Sequence, residues 1–276
     1  VTFINPANLP VGAINSGNSL VGSLATDRIG HNVNGGSSNF DFVGGKFAIY
    51  SPAWNNSAGA VTFGDVATGL TPGVVSAGNS LVGAASGDLV GASRIIDTGF
   101  GFALLRSDNG GAGAITVIDV ASPLTGTVSA SNSLVGGSPS DAIGSGGFDP
   151  IGGTVYAISS PTWATPSGKT NAGAVTLFDA LTGNFNGTLN PLKGTLDVTN
   201  SLVGTETGDQ VGSGGVRFAY SSSSDSIFVV QSPSWDNTPS VPDAGAMTWF
   251  TLGNALSGQI SSGNSLLGSA VGDALG

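Results

Sequence analysis

Five aspartates recur at intervals of about 60 residues, and they are the residues best suited by type to bind a cation. Each is followed two positions later by an aliphatic residue and then by glycine, and the five are Asp27, Asp88, Asp141, Asp209 and Asp273. Hard cations such as Ca²⁺ take six to eight oxygen ligands, and no Asp-rich loop surrounds these positions. We therefore predict that the carboxylates accept backbone N–H bonds in turns, and that the chain holds no metal or other cofactor.

A second recurring polar residue opens the string Asn-Ser-Leu-(Val/Leu)-Gly. The five copies begin at Asn18, Asn79, Asn132, Asn200 and Asn264. A polar residue that recurs within an apolar context usually satisfies backbone groups that would otherwise be buried without partners. We predict a structural turn at each copy.

Three tryptophans recur at the end of a Ser-Pro-x-Trp string, at Trp54, Trp163 and Trp235. In the second repeat the string is replaced by Ser-Asp-Asn-Gly from Ser107. An aromatic ring after proline could bind a sugar or another chain, but ligand sites are seldom copied so regularly. We predict that these rings pack between repeats, with each indole N–H bonded to a loop carbonyl.

Nothing in the sequence supports catalysis. His31 is the single histidine, it lies in a polar stretch of one repeat only, and the chain has no cysteine. A His-based triad or proton shuttle therefore has no repeated partner. We predict that the protein is not an enzyme.

The composition predicts an all-β protein outside the cell. Charged residues are 9% of the chain and glycines number 46, a balance that favours turns over helices with paired Glu and Lys. The net charge is −10, with seven Lys and Arg, so nucleic acid and anionic membranes are poor partners. No apolar run is long enough to cross a bilayer. The lack of cysteine is common in large bacterial surface proteins.

Each repeat is predicted to contain four short strands separated by Gly, Pro, Asn and Asp. In the first full repeat these are residues 28–42, 46–51, 59–65 and 73–81. The approximate units are residues 1–58, 59–112, 113–172 and 173–244, with a partial unit at 245–276, in one continuous array. Apolar side chains face both ways along the strands, so both faces of each sheet must be covered. A four-stranded antiparallel sheet at this period is typical of a β-propeller blade, or of an open superhelical array of sheets.

The order Leu-x-Gly, Gly-Asp-x-aliphatic-Gly, an apolar strand ending in Ser-Pro, and Gly-Ala-Val-Thr-x-Phe resembles the FG-GAP repeat of integrin-α-type propellers. It is more similar still to tandem repeats of giant bacterial surface proteins, including filamentous-haemagglutinin-like exoproteins. The FG-GAP resemblance implies a propeller that binds a ligand. It also implies Ca²⁺ in an Asp-x-Asp-x-Asp-Gly loop, and this sequence has no such loop.

The function that these features favour is structural: a repeat protein of a secreted filament, biofilm matrix or cell-surface stalk. The alternative is cell adhesion through a propeller that recognises glycan or protein. The partial unit at residues 245–276 lacks a Ser-Pro-Trp strand of its own, so we expect it to expose a sheet edge. The partners expected there are further repeats of the same chain or a second subunit.

Overall fold

The computed structural model describes residues 1–4, 9–31, 40–185, 188–221, 226–251 and 256–276, with the backbone alone at residues 185, 188–191 and 221. It is built of short strands and one helical turn, α1 (Trp54–Ser57). The strands are β1 (Leu20–Val21), β2 (Phe40–Val43), β3 (Lys46–Ser51), β4 (Ala60–Asp65), β5 (Gly73–Val74), β6 (Leu81–Val82), β7 (Ile96–Asp97), β8 (Phe102–Ser107), β9 (Ala114–Asp119), β10 (Gly126–Thr127), β11 (Ser133–Val135), β12 (Gly147–Gly152), β13 (Val155–Ser160), β14 (Ala174–Asp179), β15 (Asn184–Phe185), β16 (Thr188–Pro191), β17 (Gly194–Thr195), β18 (Leu202–Val203), β19 (Gly215–Ser221), β20 (Ser226–Ser232), β21 (Ala246–Thr251), β22 (Gly258–Gln259) and β23 (Ser265–Leu267). The predicted all-β class with tandem repeats is confirmed.

The chain forms two compact units. The first contains Val1–Gly110 and Ile115–Asn132, and the second contains Gly111–Ala114 and Ser133–Gly276. In the first unit β2, β3, β4 and β6 make a four-stranded antiparallel sheet, β7 pairs with β8, and β8 lies beside β9. In the second unit the corresponding sheets are β12-β13-β14-β18 and β19-β20-β21-β23. The predicted four-stranded antiparallel sheet is therefore found in both units.

A different kind of pairing joins one repeat to the next. The Ser-Leu strand of each of the first four repeats pairs in parallel with a two-residue strand that begins with glycine in the following repeat. The four pairs are β1 with β5, β6 with β10, β11 with β17 and β18 with β22. Each pair lies within one compact unit.

Two of the predicted strand ranges need correction. The range 73–81 is not one strand: β5 and β6 are separated by a loop and pair with different neighbours. The range 28–42 forms a strand only from Phe40, and residues 32–39 lie outside the described residues. Lys46–Ser51 forms a strand as predicted, and the next strand begins at Ala60 rather than Gly59.

The sheets also divide the chain at a different phase from the predicted units. β20, which ends in the Ser-Pro-Ser-Trp string, pairs with β21 along the full length of both strands. The sheet that contains β21 and β23 thus has four strands, and it includes a Ser-Pro-Trp strand. The partial unit expected at residues 245–276 is not missing that strand, because each Ser-Pro-Trp strand belongs with the Gly-Ala-x-Thr strand that follows it.

Both faces of the sheets are covered where strands lie in the middle of a unit. The four consecutive residues Phe47–Tyr50 of β3 are all buried, although their side chains alternate between the two faces. In the first unit, Leu20, Phe47 and Val75 belong to one apolar cluster. In the second unit, a cluster that includes Phe228 and Phe250 lies against β12–β14 residues such as Leu177. The apolar core is therefore built from stacked sheet faces.

Candidate functional site: the repeat junction

The residues that recur in the sequence come together where one repeat meets the next, and we call each such place a repeat junction. It contains the Ser-Leu strand and the Asp turn of one repeat, together with the glycine-led strand and the Ser-Pro-x-Trp corner of the next. Its four internal copies contain the parallel strand pairs described above.

The asparagine at the start of each Asn-Ser-Leu string fixes the loop before it. Its side-chain Oδ1 accepts the backbone N–H three residues earlier, and its Nδ2 donates to the carbonyl five residues earlier. All ten bonds are 2.9–3.0 Å. The N–H donor and the carbonyl acceptor are, in that order, Asn15 and Ala13 for Asn18, Ser76 and Val74 for Asn79, Ser129 and Thr127 for Asn132, Asp197 and Thr195 for Asn200, and Ser261 and Gln259 for Asn264. The loop held in this way carries the glycine-led strand of the junction.

The serine after each asparagine enters the sheet and pairs with a threonine. The hydroxyls of Thr62 and Ser80 lie 2.6 Å apart, and those of Thr176 and Ser201 have the same separation. In both pairs the hydroxyls are buried, and Ser80 also donates to Asn79 Oδ1. The threonine of Gly-Ala-x-Thr is therefore tied to the Asn loop through a chain of hydrogen bonds, which spares buried hydroxyls the cost of lacking a partner.

The recurring aspartate makes bonds both within its repeat and across the junction. One carboxylate oxygen, Oδ2, accepts the backbone N–H groups three and four residues earlier at all five positions, at 2.7–2.9 Å. The other oxygen of Asp27 accepts the N–H of Asn55, directly after Trp54. Asp141 and Asp209 accept the equivalent N–H groups of Ala164 and Asp236.

Two aspartates depart from this pattern. Asp88 uses its backbone carbonyl instead, which accepts the N–H groups of Asp108 and Asn109 where the second repeat lacks its tryptophan. Asp273 is exposed, whereas Asp209 is fully buried. Burial raises the pKa of Asp209 above its ordinary value, and the N–H groups of Ala270 and Ser269 lower the pKa of Asp273.

The serine of Ser-Pro also contacts the preceding repeat. Its hydroxyl accepts the backbone N–H of the glycine that ends the Asp-x-aliphatic-Gly string, as Ser160 does from Gly144 at 3.0 Å. Ser51 and Ser232 accept the equivalent bonds. In the degenerate second repeat the hydroxyl of Ser107 is buried and has no hydrogen-bond partner among the described residues. The repeat in which Ser-Asp-Asn-Gly replaces Ser-Pro-x-Trp is thus the one whose serine hydroxyl lacks this hydrogen bond.

The three tryptophans lie beside these contacts, but their predicted hydrogen bonds need correction. Trp163 and Trp235 are 2% and 4% exposed, and Trp54 is half-buried. The indole N–H groups of Trp54 and Trp235 are buried without a partner in the described part of the chain. The expected bond to a loop carbonyl is therefore wrong at these two residues. Apolar packing, in which Trp235 joins the cluster of Phe228, outweighs the cost of the unpaired N–H.

Sequence reasoning passed over two further parts of the junction. One is the close approach of backbones at glycine: a Cβ on Gly173, which has φ +78°, would lie 2.2 Å from Val211 N, and one on Gly204 would lie 2.1 Å from Ala172 O. The other is an aliphatic residue four positions before each asparagine, which is Ile14, Val75, Val128, Leu196 and Ile260. Gly204 and the aliphatic residue recur at fixed offsets from the asparagine, so the spacing alone could have revealed them. Gly173 instead opens the recurring Gly-Ala-x-Thr string.

Little else in the described residues could do chemistry. His31 is exposed, and its backbone N–H bonds to Arg28 O. Within the described ranges, no three His, Cys, Asp or Glu residues lie close enough together to hold a metal ion. In the first unit the hydroxyl of the buried Tyr50 donates to Asp41, which in turn pairs with the partly exposed Arg94. Burial, and then the bond to Asp41, raise the pKa of Tyr50, so its phenol is neutral and structural.

The first unit also has an apolar cavity of about 340 Å³. Phe3, Phe40, Phe42 and Phe47 line it, with Leu70 and other apolar groups. Ligand sites combine such walls with a few converging polar groups, and among the lining residues only Thr2 has a polar side chain. The cavity therefore lacks the set of polar groups that a typical ligand site has.

The comparisons with known proteins agree with this tandem construction. A family model described as "Repeat of unknown function (DUF5650)" matches residues 1–31, 43–92, 106–145, 152–213 and 223–276. No match to FG-GAP repeats or to filamentous-haemagglutinin-like exoproteins was found, and no curated protein matches the chain. The five matches cover most of the sequence, and each includes one Asn-Ser-Leu string or its aspartate. The chain therefore belongs to the DUF5650 family of tandem repeats, whose function is unknown.

Proposed function

We propose that this chain is a structural repeat protein of an extracellular filament, matrix or surface stalk. The observation that carries the proposal is the use of the recurring polar residues. At the described junctions, the side chains of the Asn, Ser and Asp strings form hydrogen bonds with backbone groups or with a threonine hydroxyl of the same or the adjacent repeat. The recurring residues thus shape each repeat and, through carboxylates such as that of Asp141, join it to the next, and such contacts between neighbours stabilise a repeat array.

The surface chemistry supports the same role. The chain has seven Lys and Arg in 276 residues, so it offers few sites for trypsin-like proteases outside the cell. Its described surface includes three ion pairs, the partly exposed Lys46–Asp65, Arg94–Asp41 and Lys169–Glu206 pairs, and such pairs contribute little to stability. Stability therefore depends on backbone hydrogen bonds and stacked faces, which tolerate changes in salt. Among the described residues, no helix is long and apolar enough to cross a membrane.

The same proposal includes the absence of catalysis, of a cofactor and of a nucleic-acid partner. Its support is the net charge of −10 and the engagement of the recurring carboxylates by backbone N–H groups, as at Asp141. A carboxylate that already accepts three such bonds has little capacity left for a cation. Whether the array closes into a propeller ring or stays open is a separate prediction.

A second candidate function is adhesion, and one observation favours it. Phe218 and Tyr220 of β19 are each 58% exposed in the second unit, and exposed aromatic rings can stack on sugars or on another protein. Glycan-array binding that is lost in a Phe218→Ser/Tyr220→Ser variant of unchanged stability would favour adhesion over a purely structural role.

The experiment that tests the main proposal is localisation in the cells that produce the protein. Antibodies to the chain, detected by immunogold electron microscopy, should label filaments, matrix or surface projections outside the cell. Deletion of the gene should remove both the label and the labelled structures. Label confined to the cell interior would refute the proposal.

A further inference from the structure

We propose that a second copy of this chain docks head to tail, with Gly12–Ile14 of one copy pairing in parallel with β23 of the other. The inference rests on the proposed structural function and names the partner and the register of the contact. It follows from comparing the four internal repeat junctions with the two half-junctions that the described residues leave without a partner.

The internal junctions have one register. Leu20 is opposite Gly73 and Val21 is opposite Val74. The same offset recurs in the pairs β6 with β10, β11 with β17 and β18 with β22. Applied to β23, this register places Leu266 opposite Gly12 and Leu267 opposite Ala13 of the second copy.

The strand half of a junction is exposed at β23. Within the described residues β23 pairs with β21 only, so its second edge is open. Leu266 is 56% exposed, whereas the leucines at the equivalent position of the other four repeats are nearly inaccessible. They are Leu20 at 0%, Leu81 at 0%, Leu134 at 1% and Leu202 at 1%. On the same sheet Trp249 is 54% exposed, while its equivalent Leu177 is 4% exposed.

The complementary half is exposed near the start of the chain. Ile14 is 74% exposed. Its four equivalents are buried, Val75 at 2%, Val128 at 3%, Leu196 at 2% and Ile260 at 4%. In the internal junctions this aliphatic residue packs in one cluster with the leucine of the preceding repeat, as Val75 does with Leu20 and Ile260 with Leu202. Docking would place Ile14 against Leu266 in the same way.

The docking segment is already held by the same asparagine bonds as its internal counterparts. Asn18 holds it by accepting the N–H of Asn15 and donating to Ala13 O, the two bonds that Asn79 makes with Ser76 and Val74. Strand addition to an open sheet edge is a common mode of recognition, and a segment fixed beforehand loses less conformational entropy on binding. Head-to-tail contacts of this kind extend into open arrays unless their rotation closes a ring.

Each copy carries a net charge of −10, and repulsion between copies opposes association. The repulsion acts over about 8 Å at physiological ionic strength and about 30 Å at 0.01 M. The apolar contact itself contains no charged side chain. Association should therefore strengthen as salt is raised from low to physiological concentration.

The first test measures the mass of the 276-residue chain by light scattering at rising protein concentration and 0.15 M salt. We expect the average mass to rise above the 26.9 kDa of one copy. Ile14→Asp and Leu266→Asp should each weaken association by about tenfold or more, the change that burial of one aliphatic side chain is worth.

Two matched controls carry the same added charge at exposed valines close by. Val11 and Val271 are 85% and 65% exposed, and the equivalents of Val271, such as Ser86 and Pro139, are exposed in the other repeats. Val11→Asp and Val271→Asp should associate like the unaltered chain. Association that is equally sensitive to all four changes, or to none, would overturn the proposed contact.

The second test fixes the register by disulfide formation, which the lack of cysteine in the chain makes specific. Mixing Ala13→Cys with Leu267→Cys protein should give a cross-linked heterodimer under mild oxidation, because partners in a β ladder lie within disulfide reach. Mixing Ala13→Cys with Val271→Cys should not. A chain carrying both Ala13→Cys and Leu267→Cys that cross-links within one monomer would show ring closure and overturn the docking of a second copy.

The outcomes separate this inference from the proposed function. If the chain is monomeric but antibodies to it still label extracellular structures, head-to-tail docking is refuted and the structural role is not. A chain that associates through Ile14 and Leu266 but is found only inside cells would do the reverse.

Discussion

Removing the asparagine from one repeat junction should loosen that junction while leaving the rest of the fold intact. Asn79 makes three side-chain bonds, to Ser76 N, Val74 O and the hydroxyl of Ser80, at 2.9–3.0 Å. A neutral hydrogen bond contributes about 0.5–1.5 kcal/mol net. The side chain is half-buried, so water replaces part of what is lost. We expect Asn79→Ala to cost about 1–2 kcal/mol of unfolding free energy.

Amide hydrogen exchange would locate the effect. The N–H groups of Gly73 and Val75 donate across the junction to Ser19 O at 3.1 Å and Val21 O at 3.0 Å. Both should exchange about tenfold or more faster in Asn79→Ala, since each 1.4 kcal/mol corresponds to a factor of about ten. Amides in the middle of β13, in the second compact unit, should be unaffected and serve as the internal reference.

Asn18→Ala is the matched variant, because it removes the same three kinds of bond. The loop held by Asn18 pairs with no strand among the described residues of its own chain, so its loss should cost less stability in the monomer than loss of Asn79. The two variants should be compared by urea denaturation at a low protein concentration. Equal costs for both, or unchanged exchange at Gly73 and Val75, would refute the view that the asparagine acts by presenting a strand to the preceding repeat.

Four further outcomes are expected. Trp163→Ala should destabilise the second unit by about 3–5 kcal/mol in urea denaturation, the usual cost of deleting a buried large aromatic; unchanged stability with loss of partner binding would identify Trp163 as a binding residue instead. Tyr50→Phe should cost about 1–3 kcal/mol by the same measurement, because it leaves the N–H of Ile95, which donates to Tyr50 Oη at 3.0 Å, without its acceptor. EDTA should leave the melting temperature unchanged, and a drop of many degrees would show that the recurring aspartates hold a metal. The hydrogen bond from Lys46, followed by those from two backbone N–H groups, lowers the pKa of Asp65 to about 2. The stabilisation by the Asp65 carboxylate is therefore complete above about pH 4, the ordinary range for Asp, and is lost as pH falls towards 2. An Asp65→Asn variant should show a smaller loss of stability over that interval.

The parts of the junction that could be predicted from sequence are those made by neighbouring residues. Turn chemistry predicts that Asp209 accepts N–H groups close to it in sequence, and Thr205 and Glu206 donate to it. Its bond to Asp236 N spans 27 residues, and no local rule indicates which later loop arrives there. The same limit explains the error in phase. The order of strings along the chain does not show that β20 belongs with β21, because hairpin pairing depends on tertiary contacts as well as on order.

The unpaired indole groups show a second limit. A buried N–H is usually bonded, and this rule led to the wrong expectation at Trp54 and Trp235. Satisfying such a group needs an acceptor at one particular distance and direction, whereas apolar packing needs only contact. A ring that is surrounded by apolar neighbours can therefore be well packed even though no acceptor lies in line with its N–H. Recurrence in the sequence therefore predicts burial of the ring better than it predicts the partner of its polar atom.

The same motif residue differs in pKa and in burial from one repeat to another, depending on the repeat that lies next to it. Asp209 and Asp273 accept the same pair of local N–H bonds, yet their pKa values shift in opposite directions, because burial dominates at Asp209 and is minor at Asp273. Leu202 and Leu266 show the same contrast in exposure, 1% against 56%. In each pair the motif supplies the local bonds and the following repeat supplies the burial. The apolar part of a junction is therefore formed by two adjacent repeats together. Each repeat added to an array of this family buries the apolar side chains of one more junction.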